Sequence, residues 1–264
     1  MAALMASEAI TVLAPDWDIP VRAGFTQRGG GVSAPPYDSL NLARHVGDDP
    51  EAVRINRQRL VAQACLPEMP RWLRQVHGRR VVPAAAIERD VTEADAAWTD
   101  QPGEVCAVLV ADCVPVLLAA ADGGCVAAVH AGWRGLAAGV LSQTVAALPR
   151  RPSALVACIG PCIGVEHYAV GEEVIEAMRA AGLAPAIAHA GRGQAHASSR
   201  TRVLLDLVQT TRAALEAAGV REVIHTGGCT ASTPDAFYSY RRASPTGRLA
   251  AFITPSFSTT LPDR

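Results

Sequence analysis

Charge is scarce in this 264-residue chain: 19% of its residues are charged and the formal net charge is −1. A balance so near zero provides no long-range field to hold nucleic acid or an anionic membrane surface. No uninterrupted apolar run reaches the roughly 20 residues that a membrane helix needs. Residues 1–12 are mildly apolar but lack the basic start of a secretory leader. There is no Cys-x-x-Cys pair, and the seven cysteines are odd in number and irregularly spaced. A disulfide framework is therefore not expected, and a reducing compartment, the cytoplasm, is. A Walker lysine and a Gly-x-Gly-x-x-Gly loop are both missing. No internal repeat or long linker divides the chain, so residues 1–264 read as a single domain.

Apolar residues make up 50% of the sequence, enough for a large core. The most informative stretch runs from Ala111-Asp112-Cys113-Val114-Pro115 to His130-Ala131-Gly132-Trp133-Arg134-Gly135. Two apolar runs between these motifs flank Asp122-Gly123-Gly124, which can turn through positive φ. Folding there predicts a hairpin with Cys113 and His130 at the same end. A thiolate beside an imidazole suits a zinc site or a Cys/His nucleophile pair. Taken singly, a strand cysteine is more often inert packing and a strand histidine a satisfied core residue. The polar neighbours Asp112, Trp133 and Arg134 tilt the reading towards recognition.

Elsewhere the pattern predicts a strand over residues 20–28 ending in Gly29-Gly30-Gly31, either a mobile loop or a ligand loop. Asp49-Pro50 predicts a capped helix reaching Ala64, with Arg54 and Arg59 on a solvated face. Residues 71–77 read as a strand ending on His77, a third candidate ligand, and residues 92–99 as part of a polar connection. Helices are expected over 136–148, 170–181 and 203–218. Arg134 then lies near a helix N-terminus, a natural anion site. Residues 184–200, with His189 and His196, read as an exposed loop. A buried strand at 155–160 and a strand at 223–226 complete an α/β fold with a mixed sheet layered with helices.

Further motifs are Thr26-Gln27-Arg28-Gly29-Gly30, Ser39-Leu40-Asn41-Leu42, His45-Val46-Gly47-Asp48 and Val53-Arg54-Ile55-Asn56-Arg57. They continue with Gln75-Val76-His77-Gly78, Ala94-Asp95-Ala96, Ile159-Gly160-Pro161-Cys162-Ile163-Gly164, Cys229-Thr230 and Phe237-Tyr238-Ser239-Tyr240-Arg241. With the Asp-Cys-x-Pro and His-Ala-Gly-Trp-Arg-Gly pair, this set resembles the YfiH or laccase-domain family across nearly the whole chain. That family has been described as polyphenol oxidase, peptidoglycan editing factor and purine nucleoside phosphorylase.

The resemblance implies the α/β sandwich shared with Cys/His hydrolases of the toxin deamidase type. It also implies zinc, or alternatively copper, held by His77, Cys113 and His130. The implied activity is purine nucleoside phosphorolysis, with adenosine deaminase and methylthioadenosine phosphorylase activity. A copper polyphenol oxidase and a metal-free Cys113/His130 hydrolase editing peptidoglycan precursors are the alternatives. Nucleoside and phosphate are the expected small-molecule partners, and a monomer or weak dimer the expected state. Asn41, His45, Arg57 and Arg134 are expected on phosphate or sugar. Arg28, Arg44 and Arg241 are further phosphate candidates because guanidinium forks match phosphate oxygens. Asp112 is expected either to orient a ligand imidazole or an arginine in catalysis, or to cap local backbone amides. Trp133 stacks on a purine or packs in the core. The chain departs from the family at Tyr168-Ala169-Val170, where Tyr-Glu-Val is common, and at Thr211-Arg212, where Asn-Arg is common.

Overall fold

Strands that are apolar on both faces set the layering. The computed structural model describes residues 9–183, 186–188 and 203–256. In chain order the first elements are β1 (Val12–Leu13), β2 (Val21–Thr26), α1 (Pro50–Gln63), β3 (Val81–Pro83) and β4 (Ala96–Thr99). Then come β5 (Cys106–Val110), β6 (Val114–Ala120), β7 (Val126–Ala131), α2 (Trp133–Ala138), α3 (Val140–Ala147) and β8 (Leu155–Ile159). The last are β9 (Ala169–Val170), α4 (Glu172–Ala180), β10 (Ala186–Ala188), β11 (Val203–Asp206), α5 (Leu207–Ala217), β12 (Glu222–His225) and β13 (Leu249–Pro255).

A six-stranded mixed sheet, β12-β8-β6-β7-β4-β3, lies at the centre. A four-stranded antiparallel sheet, β1-β2-β13-β5, covers one of its faces, and β10-β11-β9 forms a small third sheet. Every residue of β6 and β7 is buried because both faces are covered. Alternation sorts their side chains. Val116, Leu118 and Val129 pack with Leu136, Leu141, Val174 and Leu215 of the helices. Leu117, Ala119 and Ala128 instead meet Val108, Ala251 and Ile253 of the second sheet. Truncating Leu117 or Leu118 to alanine would cost about 2–5 kcal/mol. On its outer face the second sheet packs Leu109 and Phe252 against Leu42, Leu60 and Trp72.

Several segments differ from expectation. Residues 71–77 make only a bridge, Arg74 to Glu93, instead of a strand. The Gln75 side chain replaces the main-chain ladder, donating to Leu109 O at 2.8 Å and accepting from Leu109 N at 2.7 Å. This closes the edge of β5. Ala96–Thr99, read as polar connection, is strand β4. The helix expected over 136–148 is two helices, starts at Trp133, and breaks at Gly139, whose φ is +84°. Val170 belongs to β9, so α4 starts at Glu172. Val203–Asp206 is a strand because the Asp206 carboxylate accepts from Gln209 N and starts α5 there. Ala186–Ala188 is a strand inside the expected loop. His189 and His196 lie outside the described residues. Arg59 is half-buried and donates to Gly30 O at 2.9 Å, so it does not sit on a solvated face.

Candidate metal centre

The hairpin folds as its sequence predicts. Pro115 pairs with His130 in the β6–β7 register, which puts Cys113, just before β6, beside the end of β7. The turn at the other end passes through Gly123 at φ +71°. His77 arrives on the loop from Gln75, in a left-handed conformation at φ +58°. One ligand atom each from His77, Cys113 and His130 lies within 4.8 Å of the others. Cys113 Sγ is 4.0 Å from His77 Nε2, and the two imidazoles meet edge to face at 4.7 Å between centroids. His130 is buried, Cys113 intermediate and His77 exposed, so the cluster is closed behind His130 and open past His77. Gly132 must lack a side chain: a Cβ there would lie 2.9 Å from Cys113 Sγ and 3.2 Å from His77 Cδ2.

Asp95 organises both histidines. It is fully buried, and its Oδ1 lies 2.8 Å from His130 Nδ1. The same carboxylate accepts from the backbone N–H of His77 at 2.9 Å, Gly78 at 2.7 Å and Val76 at 3.3 Å. Burial raises the Asp95 pKa, but the His130 hydrogen bond and charge and the backbone donors outweigh it and hold the group ionised. Nδ1–H of His130 therefore donates to Asp95, and Nε2 is left to face the cluster. Burial also pushes the Cys113 thiol up, yet the charge of His130 and hydrogen bonds from both histidines bring it down to about 6. His130 is disfavoured as a cation by burial, but the Cys113 thiolate and Asp95 raise it to about 9. Two imidazoles and a thiolate are a donor set that fits a divalent metal with one position left open.

Asp112 has a different place from the imidazole-orienting one. Its Oδ1 accepts from Thr230 Oγ1 at 2.6 Å and its Oδ2 from Arg241 N at 2.7 Å, while its carbonyl accepts from Ile163 N at 3.0 Å. At φ +91°, just before Cys113, its carboxylate ties this corner to the distant segments at Thr230 and Arg241 and caps no local amide, and Asp95 is the residue on the imidazole. Arg28 pairs with Asp38 at 3.0 Å, lies over Tyr238 and donates to two carbonyls. Arg57 grips Asp90 with two bonds and donates to Leu42 O at 2.9 Å. The Asn41 amide bonds Asp48 and Ala43 and accepts from Arg248 N. These three expected phosphate contacts are therefore committed to the scaffold. Arg134 is exposed over Trp133 at 4.3 Å, and Trp133 itself packs against the helical core. Arg241 is exposed over Tyr168 at 5.2 Å. His45 is exposed as well.

Sequence reasoning missed the role of Asp95. Asp95 carried a usable signal, an acid inside the small apolar run Ala94-Asp95-Ala96-Ala97, where burial demands partners.

Residues 22–256 match the family described as multi-copper polyphenol oxidoreductase laccase. The purine nucleoside phosphorylase YfiH of Escherichia coli K12 is 43% identical over 92% of this chain and 98% of its own. A Pseudomonas aeruginosa purine nucleoside phosphorylase is 46% identical over 91% of this chain and 97% of its own. A crystal structure of a Neisseria meningitidis protein superposes with a TM-score of 0.83 at 39% identity, covering 95% of this chain and all (100%) of that one. With its hairpin, ligand cluster and fold accounted for, the chain belongs to the laccase-like YfiH family.

Proposed function

We propose that this protein is a zinc-dependent purine nucleoside phosphorylase working at the His77–Cys113–His130 cluster. The observation that carries the reading is the convergence of those three ligand atoms, within 4.8 Å, on a side open past His77. The relatives named purine nucleoside phosphorylase, at 43 and 46% identity over nearly their whole length, give the reaction class. Zinc bound there supplies Lewis-acid polarisation and a nucleophile at neutral pH. Asp95 keeps the His130 ring in one tautomer and holds the His77 loop. Tyr168 keeps its phenolic proton, since burial and the nearby Cys113 push it up to about 12. In phosphorolysis a phosphate oxygen bonds the ribose C1′ while the electron pair of the glycosidic bond leaves with the base. Arginine charge steadies the phosphate. Adenosine deaminase and methylthioadenosine phosphorylase activities belong to the same proposal, as does a place in the reducing cytoplasm, where the seven free thiols persist. No helix among the described residues is long and apolar enough to cross a membrane.

The metal-free hydrolase is the second reading, favoured by the order Asp95–His130–Cys113 and a thiol drawn down to about 6. A multicopper oxidase needs further histidine clusters, and among the described residues this three-ligand group is the one found. Metal content by emission spectroscopy, then adenosine, inosine or methylthioadenosine with phosphate, separates the readings. Phosphate-dependent base release lost in Cys113→Ala supports the phosphorylase. Activity that survives metal removal, with Cys113 covalently trapped by an electrophilic substrate analogue, supports the hydrolase.

A further inference from the structure

The corner built from residues 41–48, Asp90 and residues 246–248 carries more positive charge than its carboxylates can neutralise. Arg57 bonds both oxygens of Asp90, at 2.8 and 2.9 Å, and Arg44 approaches the same carboxylate at 3.7 Å. Asp48 is taken up by Ser33 and Asn41. Arg248 joins this corner through its amide, which donates to Asn41 Oδ1 at 2.9 Å. Its guanidinium meets only neutral acceptors: Nη1 donates to the carbonyls of Thr246 and Gly247 at 2.9 and 3.1 Å. The plane lies 5.7 Å from the centre of the Tyr240 ring. Among the described residues Arg248 has no carboxylate partner, and its Nε and Nη2 have no acceptor.

Arg248 is half-buried. Burial disfavours its charge, and the groups that oppose this are Cys113 and Asp112, then Tyr240 and Tyr37. His45 is held below its ordinary value by desolvation, then by Arg248 and Arg57. Leu249 pairs with Val110 in the β13–β5 register, so Arg248, one residue before β13, lies across from the residues 111–113 that lead to the ligand Cys113. A half-buried guanidinium with one edge free and no counter-anion is suited to an anionic ligand. Arg28 and Arg57 are bound to Asp38 and Asp90 and have no such edge.

We propose that Arg248 holds the anionic co-substrate, inorganic phosphate, next to the His77–Cys113–His130 cluster. This rests on the phosphorylase reading above and names its anion subsite. The Nε–Nη2 edge forms a fork for two phosphate oxygens, while the Thr246 and Gly247 carbonyls and the Tyr240 face fix its plane.

The test is equilibrium dialysis of the purified protein against radiolabelled inorganic phosphate, with zinc content and thermal midpoint recorded for each variant. Arg248→Met should weaken phosphate binding about tenfold to a hundredfold, the range for losing hydrogen bonds to a charged group, with zinc content unchanged. Arg150→Met, beside Asp122 at the far end of the hairpin, should bind phosphate as the wild type does. If Arg248→Met unfolds, Arg248→Gln, which keeps an amide donor for the two carbonyls, is read in its place. No phosphate bound by the wild type, or equal binding by wild type and the Arg248 variant, overturns the proposal. Phosphate held through Arg248 without base release from any nucleoside would end the phosphorylase reading and leave this subsite standing. Phosphate-dependent base release with unaltered binding in the Arg248 variant would do the reverse.

Discussion

Cys113 and Cys125 sit at opposite ends of one hairpin, and their thiols are driven in opposite directions. Burial raises both. At the turn end nothing outweighs it: Arg150 opposes burial, Asp100 and Asp122 add to it, and Cys125 is pushed up to about 11. At the other end His130 and His77 reverse the sign and bring Cys113 to about 6. Cys158, buried on neighbouring β8, also rises to about 11. A buried cysteine is inert by default, and cationic or hydrogen-bonding partners make it a ligand or nucleophile.

The largest expected effect tests that contrast directly. In protein stripped of metal by a chelator, iodoacetamide at pH 7 should label Cys113 about a thousandfold faster than Cys125, because the thiolate is the reacting form. Added zinc should protect Cys113 in peptide mass mapping; comparable labelling of both thiols would erase the difference between the two ends. His130→Ala removes the partner that reverses the sign and leaves Asp95 buried and unpaired. It should cost about 3–5 kcal/mol in denaturant unfolding and at least about a hundredfold in base release.

Asp95→Asn keeps size but cannot satisfy His130 Nδ1–H and three amides with one carbonyl oxygen. Metal affinity measured by chelator competition should fall about 10–100-fold, and unchanged affinity would show that the histidines hold their places without it. The smallest effect contrasts two glycines. Gly132→Ala pushes a methyl against Cys113 Sγ and should lower metal occupancy, at about 1–3 kcal/mol of stability. Gly123→Ala meets Pro20 at 2.8 Å from a backbone at φ +71°, and should lower the thermal midpoint while metal content stays that of the wild type. Equal metal loss in both would remove the distinction between the ends.

Legibility followed the range of the interaction. The α1 cap was readable because Asp49 accepts from Glu51 N two residues away. Strand β4 was not, since Ala96–Thr99 is too short and mixed to show a period and is made a strand by β7 and β3 on either side. The 71–77 segment looked like a strand from its aromatic start and its end on His77 before a glycine, but a glutamine side chain makes the pairing. Expected phosphate contacts at Arg28, Arg57 and Asn41 were chosen by residue type, and their partners Asp38, Asp90 and Asp48 were not identifiable as partners from the pattern.

By itself the amino-acid order determined the hairpin and the meeting of Cys113 with His130. Two-residue alternation and a glycine turn are local, and they set which side chains share an end. Only the tertiary structure decided that Asp95, 35 residues from His130, orients its ring, and that Arg248, 207 residues from Asn41, joins a corner whose Asp90 and Asp48 are taken by other groups. Those outcomes depend on which charges are brought together and desolvated in the folded chain, and sequence spacing does not encode that.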